Sequence, residues 1–171
     1  MVKTLDKAML VRARQVAQSV PDPELPMLTL ADLGILRDVA VTGTRVVVSL
    51  TPTYSGCPAM AEIRAEVASR LGAAGFAEVE VRTVLSPPWT SDFISPEGRR
   101  KLAETGIAPP RSRPITNGPV PLTLFARGPR VDCPVCGSAD TVRTAAFSGT
   151  ACKDLYRCRA CAEPFEHVKE V

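Results

Sequence analysis

Apolar positions change period several times along the first half of the chain. Leu5, Met9, Ala13, Val16 and Val20 recur at steps of three and four, which predicts one apolar face of a helix. Thr4 stands at the N-cap position and Pro21 stops the helix. The stretch PDPELPMLTLADLG follows; three prolines in its first six residues predict an irregular loop. Alternation then predicts strands over 35–41 and 45–51, turned by Gly43 into a hairpin. Residues 58–72 return to a helical period, with Met60, Ile63, Val67 and Leu71 on one face, and 77–85 (AEVEVRTVL) reads as a third strand. The order α-β-β-α-β predicts an α/β sandwich, its helices on one face of a small mixed sheet.

Regularity fades after residue 86. Ser95, Pro96 and Glu97 open a short helix that runs to residue 104, with Ser95 as N-cap and Pro96 at the first helical position. Gly106 ends it, and no periodicity survives from 107 to 121. Short strands are expected at 122–125, 141–146 and 154–157.

Composition sharpens this division. Ten of the 16 prolines fall between Pro87 and Pro134. Residues 85–130 carry seven Lys/Arg against three Asp/Glu, whereas 1–84 balance at nine each and 131–171 carry five against six. The expected organisation is an α/β domain over 1–86, a basic proline-rich connector over 87–130, and a C-terminal domain over 131–171. No run of 18 apolar residues exists, and the start MVKTLDKAML has no apolar signal region. A reducing cytoplasm is the expected compartment. The net charge of +3 is too small to imply nucleic acid.

Five of the six cysteines lie beyond residue 132. Cys133-Pro-Val-Cys136 and Cys158-Arg-Ala-Cys161 form two C-x-x-C knuckles with 21 residues between them. Each knuckle can offer two thiolates from one tight turn, and four thiolates close a tetrahedral zinc site with no open position. This is the pattern of a zinc ribbon, with structural zinc on Cys133, Cys136, Cys158 and Cys161. Paired disulfides suit an oxidising compartment instead, and an iron–sulfur centre on the same four cysteines stays open as the alternative metal. Cys152 reads as a small packed residue or as a spare thiol for metal exchange, and His167 as a solvated surface residue.

Cys57 stands apart in TPTYSGCPA, between the second strand and the second helix, with Pro58 expected at the first helical position. That places Cys57 near the N-cap, where it is either a cap with no chemistry or a thiol that the helix dipole favours as a thiolate. No histidine is near in sequence, so transient metal or persulfide binding suits this thiol better than acyl transfer. Asp22 and Glu24 are the carboxylates of the PDPELP stretch. They are either solvated loop residues or caps, or partners of Cys57 in a site suited to iron. Trp89, the single tryptophan, is either a partner-contact anchor or a plug over the sheet.

The succession of an N-terminal helix, DPELP, a hairpin and TPTYSGCPA resembles the iron–sulfur assembly domain family of bacterial SUF-associated and eukaryotic cytosolic iron–sulfur targeting proteins. The match spans roughly residues 5–85. LSPPWTSDFISPEGRRKLAETGIAPP, the knuckles, and ACKDLYRCRACAEPFEHVK resemble the D-subunit (PaaD-type) family of bacterial phenylacetyl-CoA epoxidase systems, over nearly the whole chain. The resemblance implies a non-catalytic accessory or maturation factor for the metal centres of that system in phenylacetate catabolism. It implies a transient iron or iron–sulfur cargo at Cys57, helped by Asp22 or Glu24, and reductase or oxygenase subunits as partners, with no nucleic acid, no membrane and a homodimer left open. The alternative is a scaffold of the same oxygenase in which Cys57 is inert. The chain lacks the carboxylate–histidine helices of a di-iron site and a dinucleotide fingerprint.

Overall fold

The computed structural model describes residues 2–54, 56–111 and 130–170, with side chains from residue 7 onward. The chain forms two compact units, one running through Gly98 and one spanning Arg99–Glu170.

In the first unit, α1 (Val2–Gln18) precedes β1 (Leu36–Thr42), β2 (Arg45–Leu50), α2 (Met60–Ala73) and β3 (Glu78–Thr83). The strands lie in the order β1-β2-β3, the first pair antiparallel and the second parallel. Thr42 pairs with Arg45, so the hairpin loop is Gly43-Thr44, and Gly43 has φ 59°. A left-handed glycine at the first of two loop positions fits a type II′ turn, whose twist matches the strands it joins. Val46, Val48 and Leu50 alternate into the core, and β2 pairs Val46 with Val79 and Val48 with Val81. Ala13, Ala17 and Val20 from the α1 region and Ile63, Val67 and Leu71 from α2 are buried. α1 packs on β1, α2 on β3, and the two helices meet. Burying each of the larger aliphatic side chains contributes about 2 kcal/mol. Glu80, by contrast, lies between Arg82 and Arg45 on a solvated stretch, and its hydrogen bond from Arg82, with that from Arg45, lowers its pKa to about 2. Such exposed pairs add little to stability.

Three sequence expectations change here. α1 begins at Val2, so Thr4 lies inside the helix and is not its cap. α2 begins at Met60, with Ala59 at the N-cap and no side-chain cap bond, so Pro58 precedes the helix. The loop after α1 is part of the core. Leu25, Leu28, Leu30 and Leu33 are buried, Leu30 N–H donates to Val20 O at 2.9 Å, and Pro21 bridges to Thr29.

The proline-rich segment after β3 also contributes to packing. Trp89, Ser91 and Ile94 are buried around the short 3-10 turn Ser91–Phe93. Gly34, at φ 67°, lies so close to Phe93 that a Cβ would sit 2.5 Å from Phe93 Cβ. A side chain there is excluded twice, by contact and by the left-handed backbone. α3 (Pro96–Glu104) starts as expected: Ser95 Oγ accepts from Gly98 N–H at 2.9 Å.

The second unit holds a four-stranded sheet in the order β4-β7-β6-β5: β4 (Ile107–Ala108), β5 (Thr141–Ala145), β6 (Lys153–Cys158) and β7 (Pro164–Val168). β4 runs parallel to β7, and the other pairs are antiparallel. Periodicity gives no sign of β4, which has two residues, or of β7, which begins on a proline. The strand expected at 122–125 lies outside the described residues.

Candidate metal centre

The two knuckles are built alike. Cys133 N–H donates to Ser138 O at 2.9 Å, and Gly137 N–H donates back to Cys133 O at 2.8 Å. Gly137 has φ 72°. In the second knuckle Cys158 N–H donates to Glu163 O at 2.9 Å, and Ala162, which likewise follows the second cysteine, has φ 63°. In both turns the left-handed residue bends the chain back so that two sulfurs point the same way.

These turns bring four sulfurs together. Cys133 Sγ lies 3.8 Å from Cys161 Sγ, Cys136 Sγ lies 3.6 Å from Cys158 Sγ, and all four fall within 4.8 Å of one another. A tetrahedron of sulfurs 2.3 Å from a central zinc has edges of about 3.8 Å. The donor set therefore has the size and the chemistry for one tetrahedral metal ion. The Cys158 thiol is lowered to about 7, chiefly by the Cys161 N–H, which approaches its sulfur at 3.5 Å. Four thiolates at this spacing repel one another unless a cation lies between them. Cys133 and Cys158 are buried, whereas Cys136 and Cys161 are exposed. Beneath the thiols, Ala108, Val131, Tyr156 and Phe165 complete a small core, with the two rings stacked at 5.9 Å.

Cys57 occupies a different setting. It is half-buried in a turn before α2: its N–H donates to Tyr54 O at 3.2 Å, and its carbonyl accepts from Met60 N–H at 3.4 Å. It is therefore not the N-cap residue. The loop that holds it leaves β2 through Thr51. Thr51 is buried, and its Oγ1 is the one buried side-chain polar atom without a hydrogen-bond partner among the described residues. Asp22 is buried, and its Oδ1 accepts from the N–H groups of Glu24 and Leu25, both at 2.9 Å. That carboxylate closes the loop as an Asx turn, a job the Asp-Pro-Glu-Leu order foreshadows. A groove of about 410 Å³ lies between this loop and α2, lined by Pro21, Pro23, Glu62, Ile63 and Glu66 among others. Among the described residues the four ribbon cysteines alone form a cluster of metal-ligating atoms, so Cys57, Asp22 and Glu24 are not gathered into one.

Comparison with known proteins gives these sites a context. A family model described as an iron–sulfur cluster assembly protein matches residues 12–84, and one described as a PaaD zinc beta ribbon domain matches 117–169. A protein of Escherichia coli (strain K12), named as the D subunit of a putative 1,2-phenylacetyl-CoA epoxidase, is 41% identical over 150 residues, covering 88% of this chain and 86% of its own length. The chain belongs to the phenylacetyl-CoA epoxidase D-subunit family. In this D-subunit family member, 58% of the chain resembles a domain of unknown function, DUF59, from Bacillus anthracis. The TM-score is 0.54, identity is 27%, and 96% of that structure is covered. A conserved hypothetical protein from Thermotoga maritima is 30% identical over 53% of this chain and 89% of its own, at a TM-score of 0.45.

The structure decides between the two readings of Trp89 and overturns that of His167. Trp89 is no exposed anchor: it is 5% exposed, and its Nε1–H donates to Leu33 O at 2.8 Å. His167 is not solvated: it is 2% exposed, and its Nδ1 lies 2.8 Å from Asp154 Oδ1. The sequence carries no sign of the second pair, because the pairing of β6 with β7 creates it. No helix among the described residues is long and apolar enough to cross a membrane.

Proposed function

We propose that this chain is a cytoplasmic, non-catalytic accessory factor that matures metal centres of a phenylacetyl-CoA epoxidase, with the reductase or oxygenase subunits as its clients. The observation that carries the reading is the iron–sulfur cluster assembly match over 12–84, which includes the half-buried Cys57 turn. In this reading the Cys57 thiolate holds iron or an iron–sulfur cluster in transit, as cargo. One of the two loop carboxylates, Asp22 or Glu24, is assigned to assist; Asp22 Oδ1 also serves two backbone amides. The loop and the start of α2 flank one groove, which supports a shared role for these elements.

The reading also assigns zinc to Cys133, Cys136, Cys158 and Cys161. Bound there, zinc supplies a structural crosslink, since four protein ligands leave no open position for chemistry. The chain's own residues set up the ligand turns: Gly137 and Ala162 bend them, and the Cys161 N–H favours the Cys158 thiolate.

The test is co-production of the epoxidase components with Cys57→Ser, followed by their iron content and epoxidase activity. Both are expected to fall several-fold, while the zinc content of the Cys57→Ser protein stays unchanged. Full iron loading of the clients would overturn the role of Cys57.

A further inference from the structure

The second unit contains a small cavity of mixed apolar and charged lining that the metal reading leaves unused. It measures about 180 Å³ and is lined by Ala108, Pro109, Pro110, Arg111, Arg130, Val131, Asp132 and His167. Its polar groups have unequal commitments. Arg111 is paired with Asp132 at 2.7 Å. Arg130 is exposed, and no described residue makes a hydrogen bond or ion pair with it. His167 is held by Asp154, which faces it across the β6–β7 ladder and is itself 3% exposed. With Nδ1 bonded to that carboxylate, Nε2 is the ring nitrogen left for a guest, and no described residue bonds it.

We propose that this cavity binds a protonated phosphate group. A guest must place negative charge beside Arg130 and satisfy Nε2 of His167. When Nδ1–H donates to Asp154, the neutral ring presents a lone pair at Nε2, so the guest must donate a hydrogen bond there. Hydrogen phosphate has one P–O–H to give to Nε2 and charged oxygens for the guanidinium, a donor the planar Arg fork suits well. A carboxylate or a sulfate has no proton to give. Because Asp154 and His167 sit on paired strands, the sheet holds the imidazole in place, while Arg130 lies outside the strands.

Free phosphate and a phosphate monoester share this chemistry, and the test separates them. His167 is the single histidine of the chain, so its ring resonances are unambiguous in a proton NMR spectrum of the full chain. Inorganic phosphate, glycerol phosphate and sulfate are titrated separately at equal ionic strength, near pH 6, where a monoester keeps part of its second proton. Saturable shifts of the imidazole signals are expected with phosphate, with the monoester, or with both, and response to one alone names the source. Sulfate is expected to bind at least about tenfold more weakly. Arg130→Gln, a change at an exposed position, should lower phosphate affinity by at least about tenfold, as for loss of a hydrogen bond to a charged group. No saturable shift, an equal response to sulfate, or unchanged affinity in Arg130→Gln would each overturn the proposal.

Discussion

At the scale of single residues, the first unit shows what a polar side chain does once buried. Asp22 and Asp32 are both buried, and both are bonded to their own loops. Asp22 caps two amides, and Asp32 Oδ2 accepts from the N–H and the hydroxyl of Thr29 at 3.0 Å each. Thr51 is the exception. A hydroxyl without a partner costs its desolvation and returns nothing. Thr51→Val keeps the shape and removes that cost, so thermal unfolding is expected to show a gain of about 1 kcal/mol; a loss of stability would show that the hydroxyl has a partner in solution. The roles of these residues were unevenly legible. The Asp-Pro order signals an Asx turn, and Cys57 stands out by its isolation. Trp89 was readable only as one of two alternatives and His167 not at all, because their burial depends on Leu33 and Asp154, 56 and 13 residues away.

At the scale of elements, legibility follows periodicity. Both long helices, the hairpin and the third strand follow apolar periods and lie near their expected places, while β4 is too short to show any period and β7 begins on a proline. The knuckles were legible from spacing alone, because C-x-x-C admits few turns. Their left-handed residues add something spacing does not reveal: one is Gly137 and the other Ala162. A non-glycine residue in this region costs about 1–2 kcal/mol, part of which glycine returns as entropy of the unfolded chain. Ala162→Gly is therefore expected to stabilise the metal-loaded second unit by about 0.5 kcal/mol, read as a higher denaturant midpoint. A lower midpoint would mean that the Ala162 methyl makes contacts that outweigh the strain.

At the scale of the whole molecule, the two units rest on different sources of stability. The first buries a continuous aliphatic core from α1, α2 and the sheet. The second buries a small cluster in which two of the six members are cysteines that also belong to the thiol set. A unit this small needs a staple, and ligand thiolates couple its folding to the metal. Stripping zinc with a strong chelator is expected to unfold the second unit and leave the first intact. Retention of the β-sheet dichroism of the second unit after zinc removal would sink that coupling. The chain is well equipped for such an experiment. Trp89, the sole tryptophan, lies buried in the first unit with its indole N–H on a backbone carbonyl. Fluorescence excited selectively at tryptophan therefore reports one unit and is silent about the other. During metal removal its emission should stay constant while dichroism falls, so an optical trace followed alone would register a half-unfolded molecule as native.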